Sequence, residues 1–198
     1  IHVWDTLAIG EYLNEIKPKA GLLPADRKAR AHCRAICGEM HSGFSALRSS
    51  LPMNIKAHFP GFKVWSRAQA DIGRIETIWN ECLADYGGPY LFGDKPCIAD
   101  AMFAPVVTRF ITYDVPLDAA CLAYCEHIMA LPAMKEWVAA AEAEPDEIDE
   151  LDAEFCALAS NYPLVFDERR DLLVRFAEGC YHPMRHIPGH GAIRQFAL

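Results

Sequence analysis

One stretch constrains the fold more than any other. Gly87-Gly88-Pro89 and then Gly93-Asp94-Lys95-Pro96 punctuate the chain, and the segment that opens at Ile98 is almost wholly apolar until Arg109. Gly and Pro at such a density end one helix and stop it from continuing. A helix with no broad polar face, here Ala101, Met102, Phe103, Ala104, Val106, Val107 and Phe110, must be surrounded by other helices. The chain is therefore predicted to be all-α, a bundle with this segment at its centre. Its start is built: Cys97 stands at the N-cap position, and Asp100, at the third helical position, can reach back to the free N–H groups of the first turn. The Asp100 charge also faces the positive end of the helix dipole. Sulfur is a weak acceptor, so Cys97→Ser or Cys97→Thr is expected to stabilise the fold by roughly 0.5 to 1 kcal/mol. Pro105 predicts a kink or a locally lost hydrogen bond.

Helical periodicity accounts for most of the rest. Ile1-His2-Val3-Trp4 reads as the end of a strand, after which Asp5-Thr6 opens an amphipathic helix carrying Leu7, Ile9, Tyr12, Leu13 and Ile16. Residues 18–25 form a Pro- and Gly-containing linker. Asp26 caps a long helix whose stripe, Ala29, Cys33, Ile36, Cys37, Met40, Phe44, Leu47 and Leu51, is predicted to run unbroken to Pro52. A second long helix runs from Ser66 with Ala68, Ile72, Ile75, Trp79 and Leu83 on one face, and Gly87 stops it. After the central helix, a turn at Val115-Pro116-Leu117 leads into Asp118 to Leu131, and Pro132 starts a further helix with Met134, Trp137, Val138 and Ala141.

Composition removes several function classes. A formal charge of -8 argues against nucleic acid as a partner, because phosphate binding needs clustered Lys and Arg. No apolar run approaches the roughly 20 residues that cross a bilayer, and no secretory leader is visible. The eight cysteines form no tight framework, which favours a reducing cytoplasm; Cys33 with Cys37 and Cys121 with Cys125, one turn apart, read as small core residues, not metal ligands. From Glu142 to Glu154 the chain is acidic with no basic residue, the form of a solvated connector. Residues 156–198 change composition: one helix is expected between Asp167 and Gly179, and Cys180, His182, His186 and His190 stand among prolines that break any helix able to align them on zinc.

The stretch Tyr90-Leu91-Phe92-Gly93 followed by Cys97-Ile98-Ala99-Asp100 resembles the core helix of the C-terminal helical domain of glutathione S-transferases, whose signature is Ser/Thr-x-x-Asp after a turn of this kind; the chain departs from it only at the cap. Glu39-Met40-His41-Ser42-Gly43-Phe44 with Arg48 and Pro52-Met53-Asn54 resembles the corresponding helix of a bacterial branch. The resemblance implies the following organisation: residues 1–17 as the last strand and helix of a thioredoxin-like domain, 18–25 as linker, 26–155 as the helical bundle and 156–198 as a divergent tail. It further implies that Asp5 and Thr6 are a glutathione-binding pair, holding the γ-glutamyl amino and carboxyl groups, which suits a carboxylate and a helix N-terminus with a hydroxyl. Met40, His41, Phe44, Arg48, Phe110 and Tyr113 would border a hydrophobic substrate pocket, with Met40, Phe44, Phe110 and Tyr113 left open to water where a thioredoxin-like domain would pack. Catalysis in the family needs a thiol-activating Tyr, Ser or Cys from the start of that domain, a segment expected ahead of Ile1, so the chain is read as truncated and weak or inactive in thiol conjugation. Glutathione would be its substrate, with no other cofactor, and a cytoplasmic homodimer in detoxification is implied. The alternative is a non-catalytic helical module for a hydrophobic small molecule or a protein partner.

Overall fold

The computed structural model describes residues 1–145, which form one compact unit, Ile1–Pro145. Among them are seven α-helices and no strand: α1 (Thr6–Ile16), α2 (Arg27–Ser42), α3 (Ser45–Ser50), α4 (Ser66–Tyr86), α5 (Ile98–Thr112), α6 (Ala119–Ala130) and α7 (Pro132–Ala143), with a 3₁₀ turn at Pro18–Ala20. The expected helix between Asp167 and Gly179, the Cys180 and His cluster and most of the acidic connector lie outside the described residues. Ile1 to Trp4, expected as a strand end, carry no strand pairing. A strand exists only against a partner edge, and no other strand is present among the described residues to supply one.

Most helix ends follow the local chemistry. Asp26 accepts from Ala29 N–H at 2.8 Å and Asp118 from Cys121 N–H at 2.9 Å, each satisfying a first-turn donor. Gly87 closes α4 in the left-handed region at φ 68, where glycine carries no Cβ penalty. α5 runs through Pro105 unbroken, and the Pro105 carbonyl accepts from the Thr108 hydroxyl at 3.0 Å and the Arg109 guanidinium at 2.8 Å.

The single long helix expected from Asp26 to Leu51 is in fact two. α2 ends at Ser42, Phe44 turns the chain at φ 59, and α3 restarts at Ser45. The break is held by groups from elsewhere: the Asp71 carboxylate of α4 accepts from Leu47 N–H at 2.8 Å, and Arg48 reaches back to the carbonyls of Met40 (2.7 Å) and Gly43 (3.3 Å). These partners replace the ladder bonds that the turn removes.

The core centres on α5. Ala99, Phe103, Val106 and Val107 are fully buried, and Trp79 of α4 packs its ring against Phe103, Phe110 and Tyr124 at centroid separations of 6.0, 5.5 and 4.8 Å. Six free cysteines, Cys33, Cys37, Cys82, Cys97, Cys121 and Cys125, are buried among these helices, as their place on the stripes predicts.

Asp100 ties this core together. It is 1% exposed; its Oδ2 accepts from the Cys97 N–H at 2.7 Å, and its Oδ1 accepts from Leu91 N–H at 3.0 Å and from the Tyr124 hydroxyl at 3.2 Å. The reciprocal contact of the capping box, Cys97 sulfur with the Asp100 N–H, is also present but rests on a weak acceptor. Cys97 is itself buried and its sulfur faces that of Cys33; this contact and burial push its thiol far up. A serine would make a better cap yet place a hydroxyl against apolar neighbours, and the two effects oppose each other. The gain expected from sequence therefore shrinks: Cys97→Ser should change unfolding free energy by less than about 0.5 kcal/mol. A urea midpoint showing a stabilisation of about 1 kcal/mol or more would mean that the cap alone decides.

Candidate functional site

The N-terminus of α1 meets the C-terminal turn of α2, and three polar groups expected from sequence to matter come together there. Asp5 caps α1, its Oδ1 accepting from Leu7 N–H at 2.9 Å and Ala8 N–H at 3.2 Å. Its Oδ2 lies 3.0 Å from His41 Nε2, and both side chains are exposed. The backbone N–H groups, that of Ala8 foremost, hold the Asp5 carboxyl below its ordinary pKa, and the neighbouring His41 acts in the same direction. The Leu7, Ala8 and Ile9 N–H groups are satisfied by Asp5, which leaves the Thr6 N–H and hydroxyl as the donors of this turn without a partner among the described residues. The pairing of Asp5 with His41 was not visible in sequence, because it joins residues on two helices.

Asp5 also carries the clearest backbone outlier near the site, φ 79 and ψ 129. That region is sparsely populated for a residue with a Cβ and costs about 1–3 kcal/mol, a strain that persists only where the surroundings impose it and that clusters at ligand sites. Several contacts fix α1 in place. Glu11 makes a two-pronged ion pair with Arg34 of α2 at 2.6 and 2.8 Å. Ile98 N–H donates to the Leu22 carbonyl of the linker at 2.8 Å, and Gly10 packs so tightly on the Ile98 side chain that a Cβ there would overlap it. Beneath α1 lies a hollow of about 190 Å³ bordered by Leu7, Leu23, Cys37 and Ile98 with the Glu11 and Arg34 pair at its edge.

The apolar residues expected to border a substrate pocket are not exposed as expected. Met40, Phe44, Phe110 and Tyr113 are all buried, with Tyr113 fully so and its hydroxyl donating to the Pro52 carbonyl at 2.9 Å. They are not open to water, and over Tyr113 lie Phe59, stacked at 5.4 Å, and Phe62, edge-on at 4.9 Å. Arg48, by contrast, is exposed, and His41 is exposed beside Asp5. Neither of two surface hollows, the one under α1 and a groove of about 440 Å³ beside Pro89, Tyr124 and His127, is lined by the four buried residues.

Several buried thiols of the bundle are held protonated. Burial pushes the Cys82, Cys121 and Cys125 thiols up to about 12, and Cys33 rises to about 12 through its contact with Cys37 and its burial. Burial likewise lifts the Tyr113 hydroxyl to about 12. Glu76, Asp118 and Cys121 bring ligand atoms within 4.8 Å of one another, but Asp118 is already spent on the α6 cap and on Asn80 at 2.6 Å.

Comparison with known proteins meets this geometry from outside. Residues 62–140, spanning α4 to α7, match the family model of the glutathione S-transferase C-terminal domain. A crystal structure of a Burkholderia glutathione transferase homologue with bound glutathione superposes with a TM-score of 0.53 at 27% identity, covering 72% of this chain and 68% of that one. These likenesses support membership of the glutathione S-transferase superfamily. Among curated members of that superfamily, a probable maleylacetoacetate isomerase of Caenorhabditis elegans is 31% identical over 120 residues, which is 59% of this chain and 54% of the relative. The maleylacetoacetate isomerase of Rattus norvegicus is 30% identical over 118 residues, 60% of this chain and 53% of the relative. The chain thus spans about half the length of the curated relatives it matches. Helices α4 to α7 are the ones that match the glutathione S-transferase C-terminal domain, and none of the described helices is long and apolar enough to cross a membrane.

Proposed function

We propose that Asp5 and Thr6 hold the γ-glutamyl end of glutathione and that the chain is a glutathione transferase-like protein whose residues 1–198 alone conjugate thiols weakly or not at all. The strained, half-exposed Asp5 carboxylate at the N-terminus of α1 carries this reading. Its Oδ2 has lone-pair capacity for an ammonium beside His41, while the free Thr6 N–H and hydroxyl suit a carboxylate at a helix N-terminus. The raised thiols and hydroxyls support weak conjugation: a thiol at an ordinary pKa of about 8.5 is only some 3% ionised at neutral pH, and no group near Asp5 lowers it. In this reading residues 1–17 close a glutathione-holding unit, 18–25 link it to a helical bundle over 26–155, and 156–198 are a separate tail. The protein works as a cytoplasmic homodimer on electrophiles in detoxification. The six buried free cysteines among the described residues accord with a reducing compartment.

Calorimetry with glutathione on the 198-residue chain tests the core of this. Asp5→Ala with Thr6→Ala should abolish the binding seen in the parent. Asp5→Asn keeps a side-chain acceptor for the cap and removes only the charge, so it should weaken binding about tenfold, the scale of one charge-assisted hydrogen bond, while circular dichroism stays unchanged. Equal affinity in the parent and both variants would take Asp5 and Thr6 out of the site.

A further inference from the structure

The groove of about 440 Å³ beside the end of α4 takes no lining residue from α1 or α2, so it stands apart from Asp5, Thr6 and His41. Its volume lies within the roughly 300–1,000 Å³ usual for small-molecule sites. Leu83 of α4, Pro89 of the turn that follows and Ala120 and Ala123 of α6 give it apolar walls. The turn is fixed in advance. The Tyr90 and Gly93 N–H groups donate to each other's carbonyls at 3.1 and 3.3 Å, and Leu91 N–H is held by Asp100 at 3.0 Å. Gly88 is packed so closely that a Cβ there would come within 2.5 Å of the Tyr90 carbonyl oxygen. The groove is therefore preformed, and a ligand spends little on shaping it.

Only two of the lining side chains are polar, and one of them is spent. Tyr124 is buried with its hydroxyl on Asp100 at 3.2 Å, so it offers the groove ring surface alone. His127 is exposed, its ring edge-on to that of Tyr90 at 6.4 Å and its Nδ1 2.6 Å from the Ala123 carbonyl of the same helix. A carbonyl oxygen can only accept, so Nδ1 carries the proton of this bond, and in the neutral imidazole Nε2 is left as a lone-pair acceptor. Nε2 has no hydrogen-bond partner among the described residues. The side chains of the groove thus ask for one hydrogen-bond donor on an apolar body. An anion brings no donor and meets a chain of net charge -8.

We propose that this groove binds a small neutral aromatic alcohol, whose hydroxyl donates to His127 Nε2 while its ring lies against Pro89 and Tyr124. Flat rings suit walls made of a proline and an aromatic face. The same ring bearing a carboxylate would set lone pairs against the Nε2 lone pair.

The test is calorimetry on the full 198-residue chain at pH 8 without glutathione, with 2-naphthol in one arm and 2-naphthoate in the other. The parent should bind 2-naphthol saturably and 2-naphthoate at least tenfold more weakly. His127→Phe keeps a ring and removes the acceptor, so it should weaken 2-naphthol binding about fivefold, the scale of one neutral hydrogen bond. Ala123→Leu, which fills the groove, should abolish saturable binding. Both positions are exposed, and a melting curve on each variant checks folding; should one fail to fold, the other decides. Absence of saturable 2-naphthol binding to the parent, tighter binding of 2-naphthoate, or equal affinity in the parent and in either variant overturns the proposal.

Discussion

Asp100→Ala is expected to lower the unfolding free energy by at least about 3 kcal/mol, because it orphans the buried Leu91 and Cys97 N–H groups and the Tyr124 hydroxyl in one step. Each unsatisfied buried donor costs about 1–3 kcal/mol, against a total stability on the order of 5–15 kcal/mol for a domain. Burial and the Asp100 carboxylate raise the Tyr124 hydroxyl well above its ordinary pKa, as befits a phenol held neutral against a carboxylate. Tyr124→Phe removes one donor and leaves the other two paired, so its loss should be about 1 kcal/mol. Urea unfolding at an unchanged slope measures both. A loss under about 1 kcal/mol in Asp100→Ala would mean that water replaces the carboxylate and that the knot is not closed.

The second large effect lies at Trp79. Its ring is fully buried among Phe103, Phe110 and Tyr124, so Trp79→Ala should cost about 3–5 kcal/mol through the cavity it leaves. The indole N–H, however, is buried with no acceptor among the described residues. Removing an unpaired donor returns its desolvation penalty, so Trp79→Phe should cost much less than its lost volume suggests, about 1 kcal/mol or below. A Phe variant as damaged as the Ala variant would show that the N–H has a partner, or that packing at this ring tolerates no change of shape.

Local chemistry made much of this fold legible. The caps at Asp5, Asp26 and Asp118, the stop at Gly87 and the apolar run after Ile98 each follow from a few adjacent residues, and α4 to α7 lie where periodicity puts them. The break between α2 and α3 was not legible in the stripe, since Phe44 keeps its apolar place in it. Gly43 was the one local hint, while the partners that hold the break, Asp71 and Arg48, arrive from other turns. The same limit hid the contact of His41 with Asp5 and the groove beside His127, which depend on how helices pack and not on what either helix contains. The exposure to water expected of Met40, Phe44, Phe110 and Tyr113 came from likeness alone, and all four are buried.

Ile98 gives the first helix less freedom than its linker suggests. The connection through Pro18–Ala20 and Gly21 looks like a loose tether, yet its Leu22 carbonyl is clasped by the Ile98 N–H while the Ile98 side chain fills the notch left at Gly10. α1 is consequently pinned at two points to the first residue of α5, two positions ahead of the Asp100 knot. It cannot swing without loosening the start of the central helix. A molecule that grips Asp5 and Thr6 therefore meets a socket already set, and little of its binding free energy is spent on bringing a wandering helix to rest.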